Sequence, residues 1–224
     1  MVITMNMEQA SRGYRQQARA AATEERTERI LTAALDLFLE LPYEQVTLAA
    51  VADRAGVGLQ TLIRRVRTKD GLVEAVNGWV VPAIVAHRGP PRRLSAEDMA
   101  ETVCSHYERW GAITERTIKQ EDSSPALKAG AEGGRRAHRE WVAACYAEEL
   151  DPLPEADARG VLARLVTVTG VEAWLVLSRD CGLPPSEVRS SVAHLVLGAL
   201  PFDTASEYTA HQNSGPHISP EEHP

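Results

Sequence analysis

Gln60, Thr61, Arg64 and Arg65 fall on the exposed side of one short helical segment, and that set of side chains suits contact with nucleic acid. Their segment is the second half of residues 47–66, which read as two short helices joined by a tight turn at Gly56. Apolar positions at Leu48, Val51, Ala52, Ala55, Val57, Leu62 and Val66 supply the buried sides. Small Ala52 lets the two helices cross closely, and Gly56 takes the positive φ that such a turn demands. Thr47 is placed to cap the first helix, and Gly58 stands where the second begins. This is how a helix-turn-helix lays its second helix in the major groove. An αα-corner that touches no nucleic acid has the same local spacing, so charge must discriminate. Five cations (Arg54, Arg64, Arg65, Arg67, Lys69) and no anion lie between Arg54 and Lys69, where a merely solvated surface mixes its signs.

That local excess stands out because the chain carries a formal net charge of −7 over 224 residues. Ten of the 24 Lys/Arg and nine of the 31 Asp/Glu fall in residues 1–70, leaving 14 and 22 for the rest. A non-specific coat for nucleic acid is basic throughout; this chain confines its basic surface to the first quarter. Helical apolar spacing nearly everywhere, with no strand-length alternation, makes the class all-α. Three cysteines (Cys104, Cys145, Cys181) without a CxxC spacing indicate neither a disulfide framework nor a zinc site, so no metal and no cofactor is expected. Cytoplasmic localisation follows from that reduced state and from a polar, Arg-containing start unlike a signal peptide.

The elements expected to position these residues run as follows. Residues 1–22 read as a flexible arm with Arg12, Arg15 and Arg19 spaced to follow a phosphate backbone, or as a leader with incidental arginines. Residues 23–67 form a three-helix DNA-binding head. Its first helix (about 23–40) buries Ile30, Ala33, Ala34, Leu37, Phe38 and Leu41 and is stopped by Pro42. Residues 68–202 form a ligand-binding and dimerisation body, opened by a linking fourth helix from Thr68 to about 87, kinked near Pro82. Further helices are expected over about 95–119, 135–150 and 161–177, with a loop or a short irregular helix over 121–134. Apolar all round, Val161–Leu177 is expected to be buried on every side, and its two charges and length argue against a membrane span. With the final helix (about 185–200) it is expected to form a homodimer seam, the alternative being that both helices form the core of one protomer. Residues 203–224 read as a disordered tail.

Ile30-Leu31, Ala34 and Leu37-Phe38 behind Arg26 and Arg29, Val46-Thr47-Leu48, Val51 to Val57, Thr61-Leu62, and Thr68 to Leu72 together resemble the N-terminal domain of TetR-family transcriptional regulators. The match covers about residues 26–75; beyond it only the order of helices agrees. The resemblance implies a homodimeric regulator, usually a repressor, that binds an inverted repeat in double-stranded DNA and is released by a small apolar or aromatic effector. It further implies phosphate contacts from Thr47 and Lys69, and base contacts from Gln60 and Thr61. Ile63 stands where the family has Tyr, Val66 where an aromatic is common, and Leu41 where Gly is usual, so a contact map unlike the family norm is expected. Arg64 and Arg65 would restore the electrostatic part.

In the body, Tyr107, Trp110, Trp141, Cys145 and Trp174, with His106, are candidates to line an effector pocket, or are core residues. His106, His138, His194, Cys104 and Cys145 form no catalytic motif, and no Gly-rich phosphate loop, HExxH or GxSxG is present, so the chain is not expected to be an enzyme. A dimeric helical adaptor with a degenerate head is the alternative reading.

Overall fold

A computed structural model describes residues 2–201, with side chains from residue 18 onward. Among the described residues the chain forms ten α-helices and no strand. They are α1 (Val2–Glu40), α2 (Leu48–Ala55), α3 (Leu59–Val66), α4 (Lys69–Arg88), α5 (Ala96–Lys119), α6 (Pro125–Cys145), α7 (Ala147–Leu150), α8 (Glu155–Val168), α9 (Val171–Leu175) and α10 (Pro185–Ala199). The tail expected over 203–224 lies outside the described residues.

The chain divides into two compact units. The first comprises residues to Ala83 plus Arg116–Ala131; the second comprises Ile84–Glu115 plus the described residues from Glu132. This division differs from the expected boundary at residues 67 and 68, because α4 contributes Leu72 and Val76 to the core of the first unit. Ile30, Ala33, Ala34 and Leu37 of α1, Val51, Ala52 and Ala55 of α2, and Leu62 and Val66 of α3 complete that core, with Phe38 and Leu41 packed at its edge. Burying each large side chain contributes about 1.5–3 kcal/mol.

Helix α1 departs from expectation: it is continuous from Val2, where a flexible arm over 1–22 is expected. The segment is rich in Ala, Arg, Gln and Glu, all strong helix formers, so it continues the helix that Ile30 and Leu37 anchor. The stretch 121–134, expected as a loop or a short irregular helix, is mostly the start of the long helix α6. The Ser124 hydroxyl accepts from the Leu127 amide, and burial of Ala126, Leu127 and Ala131 outweighs the low propensity of the glycines.

In the second unit α10 packs on α8, burying Val188, Val192, Val196 and Ala199 against the side that carries Val161 and Leu165. The single helix expected over Val161–Leu177 is broken. Thr169 ends α8, Gly170 is extended (φ −77°, ψ 161°), and α9 is followed by a π-helical turn at Val176–Asp180. By composition the run Glu155–Asp180 is apolar and long enough to cross a membrane. The break leaves α8 at 14 residues, about 21 Å against the ~30 Å of a bilayer core. Nor is this stretch buried on every side: Ala163, Thr167 and Val176 are exposed.

Candidate nucleic-acid interface and effector cluster

The turn between α2 and α3 forms as its residue types require. Thr47 Oγ1 accepts from the Ala50 amide at 3.1 Å, which caps α2 and leaves its own proton free to donate outward. Gly56 sits at φ 64° and closes the helix through its amide to the Ala52 and Asp53 carbonyls. Helix α3 then turns Leu62 and Val66 into the core and leaves Gln60, Arg64 and Arg65 exposed, with Thr61 half-buried. The Arg64 Nε donates to the Gln60 carbonyl at 3.3 Å, which lays its guanidinium along the helix. Arg67 ends α3 at φ 61°, the one non-glycine residue with positive φ among the described residues. Thr68 Oγ1 accepts from the Gly71 amide, and a Cβ on Gly71 would lie 2.1 Å from the Val66 carbonyl oxygen. Only glycine lets α4 start that close to the end of α3.

Two of the five cations are already engaged. Arg54 is paired with Glu40 at 2.8 Å. Lys69, expected as a free phosphate contact, donates to the Tyr43 carbonyl at 2.7 Å and lies 3.9 Å above the Tyr43 ring. Tyr43 also donates to Asp70, stacks on Phe38, and has its phenol pKa raised by burial and by that carboxylate. Arg64, Arg65 and Arg67 remain exposed. The spacing did not disclose Leu59, which is 39 % exposed beside Gln60 and offers a methyl-rich surface at the start of α3. Val66, small for its position, is nevertheless only 6 % exposed.

In the second unit the structure brings together most of the aromatic candidates. Tyr107 and Trp174 lie 5.9 Å apart, and Tyr107 donates to the Thr169 carbonyl at 3.1 Å. His106 stands edge-on to Tyr107 at 5.2 Å, and His87 lies 6.2 Å from His106 and 6.5 Å from Trp110. Trp141 is set otherwise: its indole donates to the Gly89 carbonyl, and Arg88 covers its ring at 4.8 Å. Cys145 is buried, which raises its thiol pKa. Burial and the Arg88 charge lower His106 and His138 to about 4, so both are neutral at pH 7. His194 stays apart, bonded to the Ser190 carbonyl of its own helix. Among the described residues no cluster of His, Cys, Asp or Glu has the makings of a metal site. The sequence reading did not find Arg88 or Thr169; an arginine before Gly-Pro-Pro carries no periodic signal.

Comparison with known proteins agrees with the geometry of the first unit. Residues 30–76 match the family model of bacterial regulatory proteins, tetR family. A transcriptional regulator from Rhodococcus sp. Rha1 superposes with a TM-score of 0.58 at 17 % identity, covering 76 % of this chain and 93 % of its own. A tetR-family transcriptional regulator from Streptomyces coelicolor gives 0.63 at 17 % identity, covering 85 % and 86 %. These two likenesses establish the fold. No curated protein sequence matches the chain.

Proposed function

From an all-α chain whose N-terminal domain is of the tetR-family helix-turn-helix type, we propose a homodimeric repressor that reads an inverted repeat in double-stranded DNA and releases it when a small molecule binds the body. The observation that carries this reading is the face of α3. Gln60, Arg64 and Arg65 point outward from a helix whose other side is fixed by Leu62 and Val66, and no acid interrupts the sequence from Arg54 to Lys69. Gln60 is suited to adenine N6/N7, while Thr61 and exposed Leu59 suit a thymine methyl. Thr47, Arg64 and Arg65 supply the phosphate contacts, and Lys69 adds to them from its seat on Tyr43.

Pairing of protomers is supported by apolar surface left outside the protomer core. Leu195 of α10 is 43 % exposed, and Leu162, Val166 and Leu197 are half-buried on the outward sides of α8 and α10. Such surface is covered at low cost by a second copy. The aromatic group of Tyr107, Trp110 and Trp174 is the place for an apolar or aromatic effector. The reading describes a binding protein rather than a catalyst.

Selection of bound sequences from random DNA tests the whole reading at once. A dimer should return an inverted repeat with half-sites about one helical turn apart, and affinity should fall steeply with salt. A dimer that ignores every duplex at low salt would be an adaptor instead.

A further inference from the structure

We propose that Arg88 is the anchor for an acidic group on the effector, so that the natural ligand is a carboxylate carried on an aromatic or apolar body. This rests on the effector-responsive reading above and gives that ligand a chemical class.

Around it four arginines of the body are paired with carboxylates, while Arg164 donates to the Ala199 carbonyl and Arg109 lies over the Trp110 ring. Arg93 meets Glu149 at 3.0 Å, Arg159 meets Glu155, Arg179 meets Glu115, and Arg189 is held by Glu101 and Glu108. Arg88 is treated differently. Among the described residues no acid pairs with it; its contacts are the His138 Nδ1 at 3.4 Å and the Trp141 ring. Burial of a cation with no counter-charge is costly, and it lowers the Arg88 pKa.

The protons around Arg88 are fixed by geometry. Thr169 has one hydroxyl proton, and its 2.6 Å contact donates it to the Leu165 carbonyl. Thr169 Oγ1 therefore accepts from His138 Nε2 at 3.2 Å, which makes His138 the Nε2–H tautomer. Its Nδ1 lone pair then accepts from Arg88 Nη1. A neutral histidine thus holds one end of the guanidinium in place without cancelling its charge. The lateral Nε–Nη2 edge lacks an acceptor at Nε, which is buried and has no partner. That edge is the fork that takes a carboxylate with two parallel hydrogen bonds.

Two more buried polar atoms without partners lie in the same patch, His106 Nδ1 and Trp110 Nε1. They are one turn apart on α5, and both rings face His87, the neighbour of Arg88 in the last turn of α4. An indole N–H only donates, as does a guanidinium, so the patch offers donors with nothing to receive them. Each buried orphan forfeits a hydrogen bond that water would have supplied. The titratable groups that act on Arg88 or feel its charge are His106, His138, Tyr107 and Cys145, none of them anionic at neutral pH in this setting, and Glu172 is a carboxylate that acts on Tyr107. Tyr107 and Trp174, whose rings lie 5.9 Å apart, are the apolar side chains nearest in this cluster for the rest of the molecule, and Trp110 carries Arg109 on its ring.

The test titrates the full-length protein with matched pairs of probes, 2-naphthoate against 2-naphthamide and phenylacetate against phenylacetamide, following tryptophan fluorescence. The acid should bind about ten-fold or more tightly than its amide, the discrimination due to a charged hydrogen bond. Arg88→Gln should abolish the preference by weakening the acid alone, and Arg88→Lys should keep part of it. If Arg88→Gln fails to fold, the natural protein and Arg88→Lys still decide. Equal binding of acid and amide, no binding of either, or an unchanged preference in Arg88→Gln overturns the proposal. Retardation of selected DNA by the probe-free protein is measured in parallel. Its loss beside an intact acid preference removes the regulator reading and leaves the anchor standing.

Discussion

The two units handle positive charge in opposite ways. In the first, Arg64, Arg65 and Arg67 are exposed on a surface with few acids, at no desolvation cost, ready for a polyanion. In the second, Arg93, Arg159, Arg179 and Arg189 are neutralised by glutamates, whereas Arg88 is partly buried beside neutral histidines. A cation on the surface serves long-range attraction that salt screens. A cation inside a low-dielectric cluster acts on one small partner and is screened little.

Changes in either unit would break or sharpen that contrast. The largest effect is expected for Gly71→Ala, whose methyl would collide with the Val66 carbonyl. It should cost the first unit about 3 kcal/mol or more by thermal unfolding, and DNA binding should vanish for all sequences alike. Leu195→Arg comes next. An unpaired charge in the seam should cost about 3 kcal/mol and yield monomers by sedimentation, with the fold of the protomer intact. Val192→Arg and Val171→Arg are no test of pairing, since those residues are 1 % and 4 % exposed within the protomer and the variants should unfold.

Acid should then separate the units. His106 and His138 have folded pKa values lowered to about 4, so below pH 6.5 the unfolded chain takes up protons that the folded chain refuses. The second unit should hold its full stability above pH 6.5 and lose a few kcal/mol as pH falls toward 4, read by calorimetry. His138→Gln should flatten that dependence. On the DNA side, Gln60→Ala should cost about 1–3 kcal/mol at one base position, whereas Arg64→Ala should weaken all duplexes equally and lower the salt slope by about one. The smallest effect is expected for Lys69→Ala. Besides a uniform loss of DNA affinity it should lower the melting of the first unit by about 1 kcal/mol, since the ammonium bonds the Tyr43 carbonyl.

The first unit was legible because its determinants are local. The 3.6-residue recurrence of Ile30, Ala33, Ala34 and Leu37, the Thr47 cap and the Gly56 turn are each fixed within a few residues. The role of Lys69 was read less fully, because its partner Tyr43 lies 26 residues away. The second unit hid more. The Thr169-Gly170 stop was present in the sequence, but uniform apolarity from Val161 to Leu177 masked it. The Arg88–His138–Thr169 chain joins three separate helical segments, which no spacing rule detects. Glycines at 130, 133 and 134 suggested a loop that Ala126, Leu127 and Ala131 override by packing.

Arg67 shows what such a surface demands of its own backbone. A side chain at φ 61° strains the main chain by about 1 kcal/mol or more, a penalty that glycine would largely avoid. Exchanging it would toughen the fold against heat while removing a cation from the exposed surface beside α3. At this one position, then, endurance and surface charge pull against each other, and the chain has kept the charge.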